Sequence, residues 1–279
     1  MAVNLIDVWN VETFDEDLIA TLRANSELVR NYIVTDREIF LEREASGLRV
    51  PYRTNPHAES YGRFLEDLDP LMKTRTIRAW HYTRLTDTEV IALRTAGIYV
   101  STLDATRRRL HARVAAGELP ADIAKALFAA SPFQHREQVA SRSNKFWITS
   151  HPVEIGNRGV TLLLGNWGGE AVYFWLHDPE LKEVVASIGK SRVVEVGVPL
   201  DATCRAYLAG KAVVAAFARS LGLEPDFREF DLYTTRALGP DAVLAVHTEG
   251  EAAYAEIGKG YPITFSRAVC SILDQICFQ

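Results

Sequence analysis

The segment that most restricts what this chain can become is residues 76–97. Ile77, Ala79, His81 and Thr83 fall on one side of an alternating run, and Trp80 and Tyr82 on the other. That period of two is the pattern of a β-strand. Thr86 then stands three residues before Glu89, the spacing at which a hydroxyl and a carboxylate cap a helix start reciprocally. Val90, Ile91 and Leu93 give the helix an apolar side, and Gly97 stops it. Residues 98–102 read as a second strand.

The rest of the chain decides which fold class this strand and helix belong to. Residues 105–116 and 121–130 read as helices, the second led by Pro120. Residues 145–150, 160–164, 171–176, 192–198, 228–234 and 242–247 read as strands. A helix opens at Asp178-Pro179 and closes at Gly189, and another spans residues 209–221, ended by Gly222. The strands outnumber the helices between them, and the helices are irregularly spaced. The expectation is therefore an α+β domain with a mixed sheet rather than a doubly wound one. Upstream, residues 15–32 carry Leu18, Ile19, Leu22, Leu28 and Val29 at helical spacing, and residues 37–44 continue in that style. Pro51, Pro56 and Pro70 are expected to interrupt regular structure. The division expected is a helical region over 1–75 and a main domain over 76–279.

Composition narrows the partners. With 48% apolar residues in 279, the chain can bury a substantial core. A formal net charge of -5 argues against holding nucleic acid by bulk charge alone. The three cysteines, Cys204, Cys270 and Cys277, form no Cys-x-x-Cys pair and suit a reducing compartment. The first ten residues lack a long apolar stretch, and no apolar run reaches the roughly 20 residues of a membrane span. A cytoplasmic protein with no membrane partner is the expectation.

Three stretches carry a likeness. Trp80-His81-Tyr82-Thr83-Arg84, then a helix, then Gly97-Ile98, resembles the first motif of the ADP-ribosyltransferase superfamily. The likeness is to the DNA-targeting toxins and to the rifamycin-modifying and poly(ADP-ribose) polymerase branches. Tyr82 stands where many branches keep a small residue. The second motif of the family is an aromatic strand. Phe146-Trp147, followed by Thr149 and Ser150, resembles it, and Tyr173 in Gly168-Gly169-Glu170-Ala171-Val172-Tyr173-Phe174 competes. The third is a glutamate on a late strand, which Phe227-Arg228-Glu229-Phe230-Asp231-Leu232-Tyr233 resembles, with Phe230 and Leu232 on one side and Glu229, Asp231 and Tyr233 on the other.

The resemblance covers residues 76–248, with the helical insert 105–140 outside the common pattern. It implies a split β-sheet core and NAD+ as substrate. It implies that His81 bonds a ribose hydroxyl, with Thr83 on the same wall. Backbone groups around Tyr82 would hold the nicotinamide amide, and Arg84 would face the pyrophosphate. Phe146 and Trp147 would stack on nicotinamide, with Tyr173 in reserve. Glu229 would be the catalytic carboxylate, with Glu170 and Glu195 as competitors. Cleaving the nicotinamide–ribose bond passes through an oxocarbenium-like state, as glycoside cleavage does. A fixed carboxylate near the 2'-hydroxyl stabilises that charge more than the ground state, and no metal is required. By analogy with relatives, the chain would be a bacterial-type toxin or antiphage defence effector. It would modify a nucleic acid or a protein, and the sequence leaves open whether an antitoxin exists. The alternatives are an NAD+ glycohydrolase of the same fold and an inactive nucleotide- or nucleic-acid-binding module.

Arg107-Arg108-Arg109 with His111 and Arg113 is a basic stretch on a helix, either a solvated face or a phosphate contact. Gly165-Asn166-Trp167-Gly168-Gly169 lacks the spacing of a dinucleotide fingerprint and reads as a turn. No His-Glu-x-x-His, Cys/His quartet or Gly-x-Ser-x-Gly occurs.

Overall fold

The computed structural model describes residues 5–46, 53–227 and 229–260. Pro51, Arg228, Cys270 and Cys277 lie outside them. The described chain is α+β. In order it forms β1 (Leu5–Ile6), α1 (Glu16–Ala24), α2 (Ser26–Ala45), α3 (Ala58–Lys73), β2 (Thr76–Leu85), α4 (Asp87–Ala96), α5 (Leu103–Ala115), α6 (Ala121–Ala129), α7 (Arg136–Arg142) and β3 (Phe146–Thr149). There follow α8 (Arg158–Gly165), α9 (Glu170–Tyr173), α10 (Pro179–Ser187), β4 (Lys190–Pro199), β5 (Thr203–Cys204), α11 (Ala206–Ser220), β6 (Asp231–Thr234), β7 (Val243–Thr248) and α12 (Ala252–Ile257). The seven strands make an open, mainly antiparallel sheet in the order β5-β6-β3-β2-β4-β7, with β1 added parallel beside β2.

The chain divides into two compact units, residues 1–78 with 198–232 and residues 79–197 with 233–279. In the first unit α11 packs on α3, close enough that Leu68 lies 3.7 Å from where a Cβ on Gly210 would sit. Pro70 does not end α3 but lies inside it, near the end of the helix, where the lost N–H removes one bond and the helix stops within the turn. Asp15 caps α1 and also takes the Arg75 guanidinium, both nitrogens at 2.6 Å. The N-terminal helices are thereby tied to the residue that precedes β2.

In the second unit the helix after β2 forms as its sequence demands. Thr86 and Glu89 make the reciprocal capping box, and Gly97 ends α4 at φ 85°. A Cβ on Gly97 would lie 2.2 Å from the Leu238 carbonyl, so this close approach requires glycine. One apolar cluster gathers Leu110, Leu127, Trp167, Val172 and Val185. Another gathers Trp80, Tyr82, Val160, Leu164 and Val193.

Four expected elements differ. Residues 160–164 are helical, within α8, because Asn157 accepts from the Gly159 N–H and caps a helix start. Val160 and Leu164 are then buried one turn apart while Leu162 is 56% exposed. Residues 171–176 form no strand. Gly168 and Gly169, both at positive φ, turn the chain into the four-residue helix α9. Residues 98–102 form no strand of the sheet and make isolated bridges outside it, Ile98 to Leu238 and Ser101 to Lys145. The strand expected over 228–234 begins at Asp231. Its alternation holds, with Glu229 and Asp231 exposed, Tyr233 half-buried, and Phe230, Leu232 and Thr234 buried.

Candidate active site

β2 and β3 lie side by side, with Trp80 opposite Thr149. This pairing brings His81 onto the aromatic strand. The His81 ring lies 4.4 Å from that of Phe146, inclined at 38°. Its Nδ1 is 2.8 Å from the Trp147 carbonyl oxygen. A carbonyl can only accept, so Nδ1 carries the proton and donates it. Nε2 of a neutral ring is then a lone-pair acceptor, and it has no partner among the described residues. Burial lowers the imidazole to about 4, against the Trp147 bond, which favours the charged form. The positive charge of Arg109 adds to the lowering. At neutral pH His81 is uncharged.

The aromatic wall continues through Trp147, 40% exposed, whose ring lies 4.6 Å from that of Tyr233 on β6. The Lys145 ammonium stands 5.0 Å over the Tyr233 ring and bonds the Ala140 and Ser141 carbonyls at 3.2 and 2.8 Å. Lys145 thus secures the end of α7 to the start of β3. Thr149 Oγ1 bonds the Trp80 carbonyl at 3.3 Å and the His151 carbonyl at 2.8 Å, holding the far end of β3 in register.

The other residues of the first motif are placed as follows. Tyr82 points away from His81 in the strand's alternation. Its ring is buried, and its hydroxyl accepts from the Val153 N–H at 2.6 Å. Burial raises that hydroxyl above its ordinary range. Thr83 is buried. The Arg84 guanidinium donates to the Ile188 carbonyl at 2.9 Å and to Ser191 Oγ at 3.3 Å, which fastens β2 to the start of β4.

Sequence reasoning missed the ion pair whose arginine adds to the lowering of His81. Glu89, read only as a cap, also accepts from Arg109 Nε and from the Trp167 indole N–H, each at 2.8 Å. The Arg109 guanidinium lies 4.8 Å over the Trp167 ring. Burial pushes the Glu89 carboxyl up, but Arg109, the Thr86 N–H and the indole N–H outweigh it and hold it below the ordinary carboxylate value. The signals were present as an arginine two turns into a basic helix and a tryptophan in a glycine-rich turn. Nothing in the linear order links them.

The competing residues have structural work. Tyr173 packs against the cluster of Leu110 and Trp167, and burial lifts its hydroxyl to about 12. Glu170 pairs with Arg142 at 3.1 Å. Glu195 is buried and bonded to His247 at 3.0 Å between β4 and β7. Glu229, in the other compact unit, is exposed and lies on the same side of its segment as Asp231. Although Asp231 is exposed as a residue, partial desolvation of its carboxyl raises it, Arg205 opposes that, and the charge of Glu229 adds to it.

Comparison with family models, curated proteins and solved structures finds no match to this chain.

Proposed function

We propose that this chain breaks the nicotinamide–ribose bond of NAD+ and transfers ADP-ribose to a nucleic acid or protein acceptor, on a split-sheet core of the ADP-ribosyltransferase type. The observation that carries the reading is the state of His81. It is a neutral imidazole, fixed through Nδ1, offering Nε2 as an acceptor next to an aromatic wall. A sugar hydroxyl is a donor that such a nitrogen can orient, and a flat pyridinium amide suits the faces of Phe146 and Trp147. A neutral imidazole also avoids placing positive charge where an oxocarbenium ion develops.

Glu229 is the carboxylate assigned to that ion. That assignment rests on the resemblance of residues 227–233 to the late glutamate strand of the family. Under this reading the effector role follows from the resemblance alone.

The test is nicotinamide release from NAD+ labelled in its adenylate half. The wild type should release nicotinamide. Glu229→Gln should slow release by about 100-fold or more, the order seen when one electrostatic stabiliser is removed, with an unchanged melting temperature. Label on DNA, RNA or protein identifies the acceptor, and free ADP-ribose means that water accepts. No release by folded protein over a panel of such acceptors would reject the proposal.

A further inference from the structure

The basic stretch on α5 is divided by the fold. Arg109 and Arg113, one turn apart, turn inward to Glu89 and to Thr86 with Glu118. Arg107 and His111, also one turn apart, turn instead to a groove of about 430 Å³ between α5 and α6. Leu110, Val114, Ala121 and Phe128 form its apolar walls, and Lys125 joins Arg107 and His111 as the polar lining. No carboxylate lines it. His111 and Lys125 have no partner among the described residues. Arg107 meets Asp104 only at 3.7 Å, both side chains at least half exposed, and its guanidinium lies 4.9 Å over the Phe128 ring.

We propose that this groove binds a small amphiphilic anion, its apolar body between α5 and α6 and its charged head at Arg107 and Lys125. The volume falls in the range of about 300–1,000 Å³ typical of small-molecule sites, which are mostly apolar with few, placed polar groups. The span from Arg107 to Val114 is about 10 Å at 1.5 Å per residue, a short chain or a fused ring rather than a protein helix. Charge selects the occupant. No carboxylate lines the groove, the one ion pair of Arg107 among the described residues is the long, exposed contact with Asp104, and Phe128 holds the guanidinium over its ring at the groove. This inference is independent of the NAD+ reading.

Decanoate serves as the probe, and decyltrimethylammonium as a cation with the same tail. Calorimetry on the full chain should show saturable decanoate binding at least ten-fold tighter than the cation. Lys125→Glu together with Arg107→Glu should reverse that preference. Both changes are at exposed positions, and circular dichroism checks the fold. Ala121→Trp, which fills the groove from its exposed edge, should abolish binding of both. Equal affinity for the two probes would overturn the proposal. So would unchanged decanoate affinity in the charge-reversed chain, or adsorption to phosphatidylglycerol vesicles without binding of free decanoate.

Discussion

At the scale of single residues, His81 makes the most specific statement. Its imidazole is lowered to about 4 in the folded chain from an ordinary 6.5, burial being the larger cause. NAD+ affinity that depends on Nε2 should therefore stay level from pH 8 to about pH 5 and fall only as pH approaches 4. A fall centred near 6.5, followed by calorimetry, would contradict the assignment. The same displacement acts on stability. Between 6.5 and 4 the unfolded chain takes up a proton that the folded chain refuses, so stability is present above 6.5 and is lost as pH falls through that window. Urea midpoints at pH 7.5 and pH 5 should therefore differ less in His81→Gln than in the wild type. Glu89 gives a second test. Glu89→Gln leaves Arg109 facing a neutral amide and should cost about 2–3 kcal/mol at pH 7, the scale of a hydrogen bond to a charged group. Because the folded carboxyl is held below its ordinary value, the deficit should shrink as acid protonates Glu89 in the wild type. Urea denaturation at pH 7 and pH 3.5 checks both points.

At the scale of elements, local chemistry explains what can be read from the chain and what cannot. The capping box at Thr86 and Glu89 and the stop at Gly97 are short-range signals, and α4 obeys them. Gly97→Ala should lose about 1–3 kcal/mol, the range for a side chain forced into a left-handed conformation. A thermal melt lower by several degrees checks it, and an unchanged melt would mean that the Leu238 segment gives way. β2, β3, β4 and β7 follow from alternation or from β-branched runs, and so His81 and Phe146-Trp147 were legible as strand residues. The helices α8 and α9 were not. A short, largely apolar run such as residues 160–164 satisfies both periods, and its cap at Asn157 decides the matter. The partnership of Glu89, Arg109 and Trp167 joins residues 20 and 78 positions apart. Linear spacing holds no record of such contacts.

At the scale of the whole molecule, the late helix α11 belongs with the early helices. Its buried residues include Ala209, Val213 and Phe217, and α3 packs against it. A chain shortened to residues 76–279 loses that cover and should give no single cooperative thermal transition. A melt matching that of the full chain would show that the early helices are dispensable. With a net charge of -5, the proposed NAD+ recognition would depend on local groups rather than on a general field, and above all on one nitrogen atom. The most direct measurement is the ¹⁵N spectrum of the histidine imidazoles during an NAD+ titration at pH 7.5. His81 should be observed as the Nδ1-protonated neutral tautomer, with its Nε2 resonance shifting along a saturable curve as a sugar hydroxyl donates to it. An Nε2 signal that stays fixed while NAD+ saturates the protein, or a protein that NAD+ does not saturate, would contradict the account.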